Sequence, residues 1–109
     1  MPEHEIDARA LAARLARGEP TVLLDVREPW EHQLAALPGN VLVPLGEIAA
    51  RSDDVCVPAG ALVVTYCHHG VRSLQAALWL RAAGWADVVS LAGGIDAWSF
   101  TVDPLVPRY

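Results

Sequence analysis

Residues 61–73 have the sequence ALVVTYCHHGVRS, in which an apolar run leads into a short polar loop. The run over residues 61–66 is apolar at nearly every position, which is typical of a strand buried on both faces of a parallel sheet. Residues 74–83 are rich in alanine and leucine and end before Gly84, a residue type that commonly stops a helix. The pattern predicts a strand, a tight loop beginning at Cys67, and a helix.

Short apolar runs continue to alternate with helix-like segments on both sides of this loop. Asp7 precedes an alanine-rich stretch as a helix cap would, and Pro29 stands where the first turn of a second helix would begin. This alternation favours a parallel α/β sheet covered on both faces. From the residues alone we predict strands at 21–26, 40–43, 61–66 and 87–91, helices at 8–15, 29–36, 45–50, 74–83 and 95–98, and an irregular tail over 103–109.

Length and composition narrow the class of protein. The 109 residues fit one domain over residues 1–109, and 53% hydrophobic residues supply its core. The net charge of -5, with 13 acidic residues and no lysine, disfavours nucleic-acid binding. We see neither a secretion signal nor an apolar run of membrane-spanning length. We therefore expect a cytoplasmic protein that binds neither nucleic acid nor membrane.

Cys67 has the sequence context of a nucleophile. It follows the carboxyl end of a buried strand, where open parallel sheets bind their ligands, and it precedes a helix. Backbone N–H groups and the positive end of the helix dipole favour the thiolate over the thiol. Gly70 gives the loop backbone freedom, Arg72 offers a guanidinium fork to an oxyanion such as thiosulfate, and Ser73 can cap the helix.

The segment from Cys67 to Ser73 resembles the active-site loop of rhodanese domains, which has a cysteine, a glycine three residues later and often an arginine–serine pair. Three further segments resemble other motifs of that family and occur in the right order. The sequence departs from the family at Ala35 and Ala36, where many members have glycine and histidine. The similar segments are LDVREP at residues 24–29, LPGN at 37–40 and LAGGIDAW at 91–98.

This resemblance implies a rhodanese-like fold, a five-stranded parallel sheet flanked by helices on both faces. It also implies a sulfurtransferase of the thiosulfate sulfurtransferase class, in which Cys67 accepts a sulfane sulfur as a persulfide and passes it to a thiophilic acceptor. No metal or organic cofactor is implied. The active-site loop would consist of Cys67, His68, His69, Gly70, Val71, Arg72 and Ser73. Independently of the resemblance, Asp25 and Arg27 are candidates to support the loop because they lie at the same edge of the sheet.

The tail over residues 102–109 resembles the end of rhodanese domains fused to adenylating enzymes that charge ubiquitin-like sulfur carriers. The partners implied are a small-molecule or protein persulfide donor and a thiol or sulfur-carrier protein as acceptor, with cyanide as a laboratory acceptor. Because the chain has no lysine, an anionic donor must be met by arginine, chiefly Arg72 and Arg27. The choice between thiosulfate and a persulfide donor stays open.

Two other functions compete with sulfur transfer. A non-catalytic rhodanese-like module that binds or regulates partners would share the fold, but such modules typically lack the cysteine. A cysteine phosphatase also places cysteine and arginine in an amide-lined loop before a helix. It needs five residues between them, whereas four separate Cys67 from Arg72. Sulfur transfer is therefore our first hypothesis.

Several candidate residues also have a purely structural interpretation. Asp25 and Arg27 are either solvated charges at the end of a strand or support for the loop. His68 and His69 suggest a metal only weakly, since adjacent side chains diverge and no further ligand cluster is evident, so we predict no metal site. Cys56 is expected to be an incidental thiol outside the site.

Overall fold

The computed structural model describes residues 4–109. Five strands form one sheet in the order β1-β5-β4-β2-β3, and every neighbouring pair is parallel. The strands are β1 Glu5–Ile6, β2 Thr21–Asp25, β3 Val41–Leu42, β4 Leu62–Tyr66 and β5 Val88–Leu91. The helices are α1 Ala8–Ala16, α2 Pro29–Leu34, α3 Ile48–Arg51, α4 Val71–Ala82 and α5 Gly94–Thr101, with short 3-10 turns at Leu45–Glu47 and Ser52–Asp54.

Helices cover both faces of the sheet, which confirms the predicted fold class. Successive side chains of a strand point to opposite faces, so β2 and β4 each contribute to two separate apolar clusters. One cluster packs against α1 and α5, and the other packs against α3 and α4. The first includes Leu11, Leu23, Val64 and Ile95, and the second includes Leu24, Ile48, Val63 and Leu80.

The ends of the first two helices follow from local contacts. Asp7 caps α1 as predicted, because its side chain accepts the N–H of Ala10 at 2.7 Å. Helix α2 ends at Leu34, before the predicted residue 36, since Ala35 has extended backbone angles and its carbonyl accepts a hydrogen bond from Arg27. The longest described helix has 12 residues, and no helix in the described range has the length and apolar character needed to cross a bilayer.

One strand was missed and one helix was predicted too short. Strand β1 has only two residues, Glu5 and Ile6, which is too few for a period-2 pattern; it is defined by pairing with β5. Helix α5 runs over Gly94–Thr101 and not only over residues 95–98. Its first turn places the backbone N–H groups of Ile95 and Asp96 beside the loop that follows β4.

The register of the central strands determines which segments meet. Asp25 at the end of β2 pairs with Tyr66 at the end of β4. The residues that follow these two strands, including Arg27 and Cys67, therefore lie at the same carboxyl edge of the sheet.

Candidate active site

Cys67 is the first residue after β4 and is 1% exposed. Its Sγ atom accepts the backbone N–H groups of Gly70 at 3.1 Å and of Ser73 at 3.3 Å. Both N–H dipoles point their positive ends at the sulfur, which stabilises negative charge there. The hydroxyl of Ser73 lies 3.4 Å from the same sulfur. The loop therefore surrounds Sγ with groups suited to a thiolate or a persulfide anion.

The helix after this loop begins at Val71, three residues earlier than predicted, and this changes the position of Ser73. Gly70 precedes the helix with a φ of 105°, a left-handed conformation that favours glycine. Ser73 is thus the third residue of α4 and does not cap it, contrary to prediction. Its hydroxyl instead pairs with that of Ser90 on β5 at 2.7 Å. Val71 is 71% exposed at the rim of the loop.

The first turn of α5 fixes the other side of the loop. The N–H of Ile95 donates to the Cys67 carbonyl at 2.9 Å, and the N–H of Asp96 donates to the His68 carbonyl at 3.2 Å. Helix N-termini leave such N–H groups without intrahelical partners, and here the loop satisfies them. Gly94 makes the close approach feasible, since a Cβ atom there would lie 2.3 Å from the His68 oxygen. The segment that begins α5 therefore positions the active-site loop.

His68 and His69 stack on each other, contrary to the prediction that adjacent side chains diverge. Their ring centroids lie 3.8 Å apart with 22° between the planes. The ring of Tyr109 also stacks on His68, with centroids 3.9 Å apart. His68 is thus held by two neighbouring rings, whereas the side chain of His69 is 64% exposed.

Asp96 joins the two histidines in a cluster that the sequence did not reveal. One ligand atom from each residue lies within 4.8 Å of the other two. The Asp96 carboxylate is already bound by Arg108, with Nε 2.9 Å from Oδ1 and Nη2 3.2 Å from Oδ2. Stacked rings also hold their nitrogen lone pairs side by side, whereas a tetrahedral metal site needs them to converge. We therefore assign no metal to this cluster.

The guanidinium fork of Arg72 is bonded to a carboxylate in this structure, and its predicted role with an oxyanion stays a prediction. Its Nη1 and Nη2 atoms donate to the two carboxylate oxygens of Glu31 at 2.6 and 2.8 Å. The Glu31 side chain, on α2, is 4% exposed. The hydrogen bonds from Arg72 lower the pKa of Glu31 to about 2 against the opposing effect of burial. Bidentate pairs of this kind are strong and directional, so the charge of Arg72 is matched within the protein.

Replacing Glu31 by glutamine should make the fold less sensitive to acid. An unfolded glutamate titrates near ~4.3, whereas the pKa of native Glu31 is about 2. Ionised Glu31 therefore stabilises the native state above about pH 4.5, and this contribution is lost as the pH falls toward about 2. Urea unfolding between about pH 6 and 3 should show a steeper loss of stability in wild type than in Glu31→Gln. Parallel pH dependences would contradict the pairing with Arg72.

Tyr109 belongs to the site, although the sequence predicted only an irregular tail around it. Its hydroxyl accepts a hydrogen bond from Arg27 Nη1 at 2.9 Å and donates one to Glu31 Oε2 at 2.7 Å. Burial raises the pKa of the Tyr109 phenol to about 12, so the hydroxyl keeps its proton at neutral pH. These partners lie 82 and 78 residues away along the chain. No local pattern could therefore have identified Tyr109 or Glu31.

Asp25 and Arg27 form a bidentate ion pair and are both 0% exposed. Arg27 Nε and Nη2 donate to the two Asp25 oxygens at 2.9 and 2.8 Å, and Nη2 also donates to the Ala35 carbonyl at 2.6 Å. Burial alone would lower the pKa of Arg27, but the hydrogen bonds to Asp25 and Tyr109 raise it above its ordinary value. The ion pair is thus buried and not solvated. Arg27 donates a hydrogen bond to Tyr109, whose ring stacks on His68, so these contacts connect the pair to the loop.

Cys56 lies apart from these residues. It is an exposed free thiol in the connection before the amino end of β4, whereas Cys67 follows the carboxyl end of that strand. Both cysteines are unpaired.

The fold and the loop define a class: a parallel α/β domain that presents a buried cysteine to backbone N–H groups at the start of a helix. The chain belongs to the rhodanese-like domain family, whose model matches residues 7–101. Proteins named as sulfurtransferases are among its relatives.

Two curated relatives and one solved structure illustrate the similarity. A sulfurtransferase of Allochromatium vinosum is 37% identical over 103 residues, which cover 94% of each chain. The probable adenylyltransferase/sulfurtransferase MoeZ of Mycobacterium tuberculosis is 35% identical over 95% of this chain, which spans only 26% of that longer protein. A rhodanese-like domain protein from Staphylococcus aureus is 26% identical with a TM-score of 0.79, and the match covers 96% of this chain and 97% of that one.

Proposed function

We propose that this protein is a sulfurtransferase that carries a sulfane sulfur on Cys67 as a persulfide. The observation that carries the proposal is the donation of two backbone N–H groups, those of Gly70 and Ser73, to Cys67 Sγ. These preorganised N–H groups stabilise the thiolate that begins the first half-reaction and the negative charge that returns to the Cys67 sulfur in the second. In this proposal residues 1–109 act as one rhodanese domain, and the chemistry needs no metal or organic cofactor.

The reaction consists of two nucleophilic attacks on sulfur. In the first, the Cys67 thiolate attacks the outer sulfur of a donor R–S–SH. The new S–S bond gives Cys67–S–SH, and the old S–S bond breaks with its electron pair leaving on R–S⁻. In the second, an acceptor thiolate or cyanide attacks the outer sulfur, and the electron pair of the breaking bond returns to Cys67 as the thiolate.

The donor is thiosulfate or a persulfide, and the acceptor is a thiol or a sulfur-carrier protein, with cyanide serving in the laboratory. The likeness to an adenylyltransferase/sulfurtransferase over 95% of the chain supports a protein acceptor. We place the reaction in the cytoplasm, whose reducing conditions keep cysteines such as Cys67 and Cys56 as free thiols.

Intact-protein mass spectrometry tests this function. Wild type, Cys67→Ser and Cys56→Ser are each incubated with thiosulfate and, separately, with cysteine and a cysteine desulfurase. Wild type and Cys56→Ser should gain the mass of one sulfur atom, and Cys67→Ser should gain none. A transferable sulfur on Cys67→Ser would refute the mechanism. No gain by any of the three proteins with either donor would favour a rhodanese-like module that binds partners without transferring sulfur.

A further inference from the structure

The charged side chains around the active-site loop are matched in pairs. Each of the three arginines beside the loop is bonded to a carboxylate, so the charges of these six side chains cancel. The pairs are Arg27 with Asp25, Arg72 with Glu31, and Arg108 with Asp96.

Glu31 holds its position firmly. Besides the two hydrogen bonds from Arg72, its carboxylate accepts the Tyr109 hydroxyl at 2.7 Å and the backbone N–H of Glu28 at 3.1 Å. The hydrogen bonds to Glu31 raise the pKa of Arg72 above its ordinary value. Arg72 lies in the first turn of α4, next to Ser73, whose N–H donates to the Cys67 sulfur. An incoming anion must therefore compete with a buried carboxylate that four donors already hold.

Exposed apolar side chains lie on α2 and at the start of α4, on the same side of the sheet edge as the exposed side chain of His69 in the loop. Trp30 and Leu34 lie on one side of α2, four residues apart, and are 61% and 52% exposed. The ring of Trp30 meets the edge of Tyr109, with centroids 6.3 Å apart. Val71, beside Arg72, is 71% exposed. Such a surface favours contact with a donor that has an organic body.

We propose that Glu31 determines donor specificity: by occupying the Arg72 fork it disfavours dianionic donors such as thiosulfate and favours organic persulfides. This inference rests on the proposed sulfur transfer to Cys67. With thiosulfate, the thiolate and the dianion bring three negative charges together, and Cys67–S–S⁻ and SO3²⁻ must carry them away. With an organic persulfide, R–S–SH or its anion R–S–S⁻, the thiolate meets at most one further negative charge. One charge leaves on R–S⁻, and a second, where present, stays on the Cys67 persulfide. A site whose arginines are already neutralised by carboxylates favours the reaction with an organic persulfide, because fewer negative charges meet there.

Two donors with the same type of reacting bond isolate the effect of charge. Thiosulfate carries two negative charges and methanethiosulfonate carries one, and both lose a sulfane sulfur from a sulfonyl sulfur. We expect wild type to have a higher kcat/KM for methanethiosulfonate. In Glu31→Gln, the thiosulfate-to-methanethiosulfonate ratio of kcat/KM should rise about tenfold, because removing one nearby negative charge helps a dianion more than a monoanion.

Two control proteins separate this role from a general structural one. Glu19→Gln removes the same charge from an exposed pair with Arg17 near the amino end of β2, and its donor ratio should equal that of wild type. In Glu31→Gln with Arg72→Gln, the gain should disappear because no free fork remains.

Several outcomes would overturn the inference. A higher kcat/KM of wild type for thiosulfate than for methanethiosulfonate would overturn the inference before any variant is measured. An unchanged donor ratio in folded Glu31→Gln that still loads sulfur would also overturn it, while leaving sulfur transfer intact. If neither donor nor a desulfurase loads Cys67 in any protein, the proposed function itself fails, and the inference fails with it.

Discussion

Gly94→Ala is expected to reduce the rate of sulfur loading on Cys67 by about 100-fold or more. Gly94 has a φ of 63°, and a Cβ atom at this position would lie 2.3 Å from the His68 oxygen and 2.5 Å from the Cys67 oxygen. Both contacts are with backbone, so the loop itself must move. Misplacement of a reacting group by about 1 Å can cost about 100-fold in rate. The measurement is the single-turnover rate of sulfur transfer, followed by mass spectrometry.

Gly60→Ala is the matched control for this prediction. Gly60 has a similar φ of 79°, but no atom lies within 4 Å of the Cβ position. The variant should lose stability through backbone strain, on the order of 1 kcal/mol, and should keep its sulfur-transfer rate. A Gly94→Ala protein that is folded and transfers sulfur at the wild-type rate would show that contact with α5 does not position the loop.

The sequence was sufficient for the parts of the site that are local in the chain. The apolar run over residues 61–66 identified β4, and the order of strand, loop and helix located Cys67 at the carboxyl edge of the sheet. The start of α4 was misplaced because residues 71–73 already form helix after Gly70, whose φ is 105°. A Cβ atom at residue 70 would lie 3.1 Å from the backbone nitrogen of Gly93, a contact between segments distant in the chain. Local sequence propensity cannot predict a contact between residues that are distant in the chain.

The charge balance of the site could not be predicted from the sequence. Arg72 was identified as a cation five residues after Cys67, but its partner Glu31 is 41 residues away in the sequence. Glu31 looked like any acidic residue in the first turn of a helix, where the dipole favours a negative charge. Only the folded structure brings Glu31 of α2 to Arg72 at the start of α4, where the two form a neutral pair. An expectation of donor class drawn from residue types alone is therefore incomplete.

Arg27→Met is expected to lower the free energy of unfolding by about 3–5 kcal/mol. The substitution keeps an apolar stem but leaves Asp25, which is 0% exposed, without its bidentate partner. It also removes a hydrogen bond to the Ala35 carbonyl and one to the Tyr109 hydroxyl. Asp25 keeps the Tyr66 hydroxyl and His32 Nδ1 as partners, each 3.1 Å from Oδ2. A buried carboxylate that loses its arginine is still far more costly than the loss of an exposed pair. Urea unfolding at neutral pH, monitored by circular dichroism, measures the difference.

Two further variants identify the unpaired charge as the cause. Asp25→Asn combined with Arg27→Met removes both charges, so it should be more stable than Arg27→Met alone even though it carries an additional substitution. Arg51→Met breaks the exposed pair with Glu47 and should cost about 0.5 kcal/mol or less. A double variant that is less stable than Arg27→Met would show that shape and hydrogen bonding, and not the uncompensated charge of Asp25, dominate the loss. In that case the ion pair would act on the loop mainly by holding Tyr109 against His68.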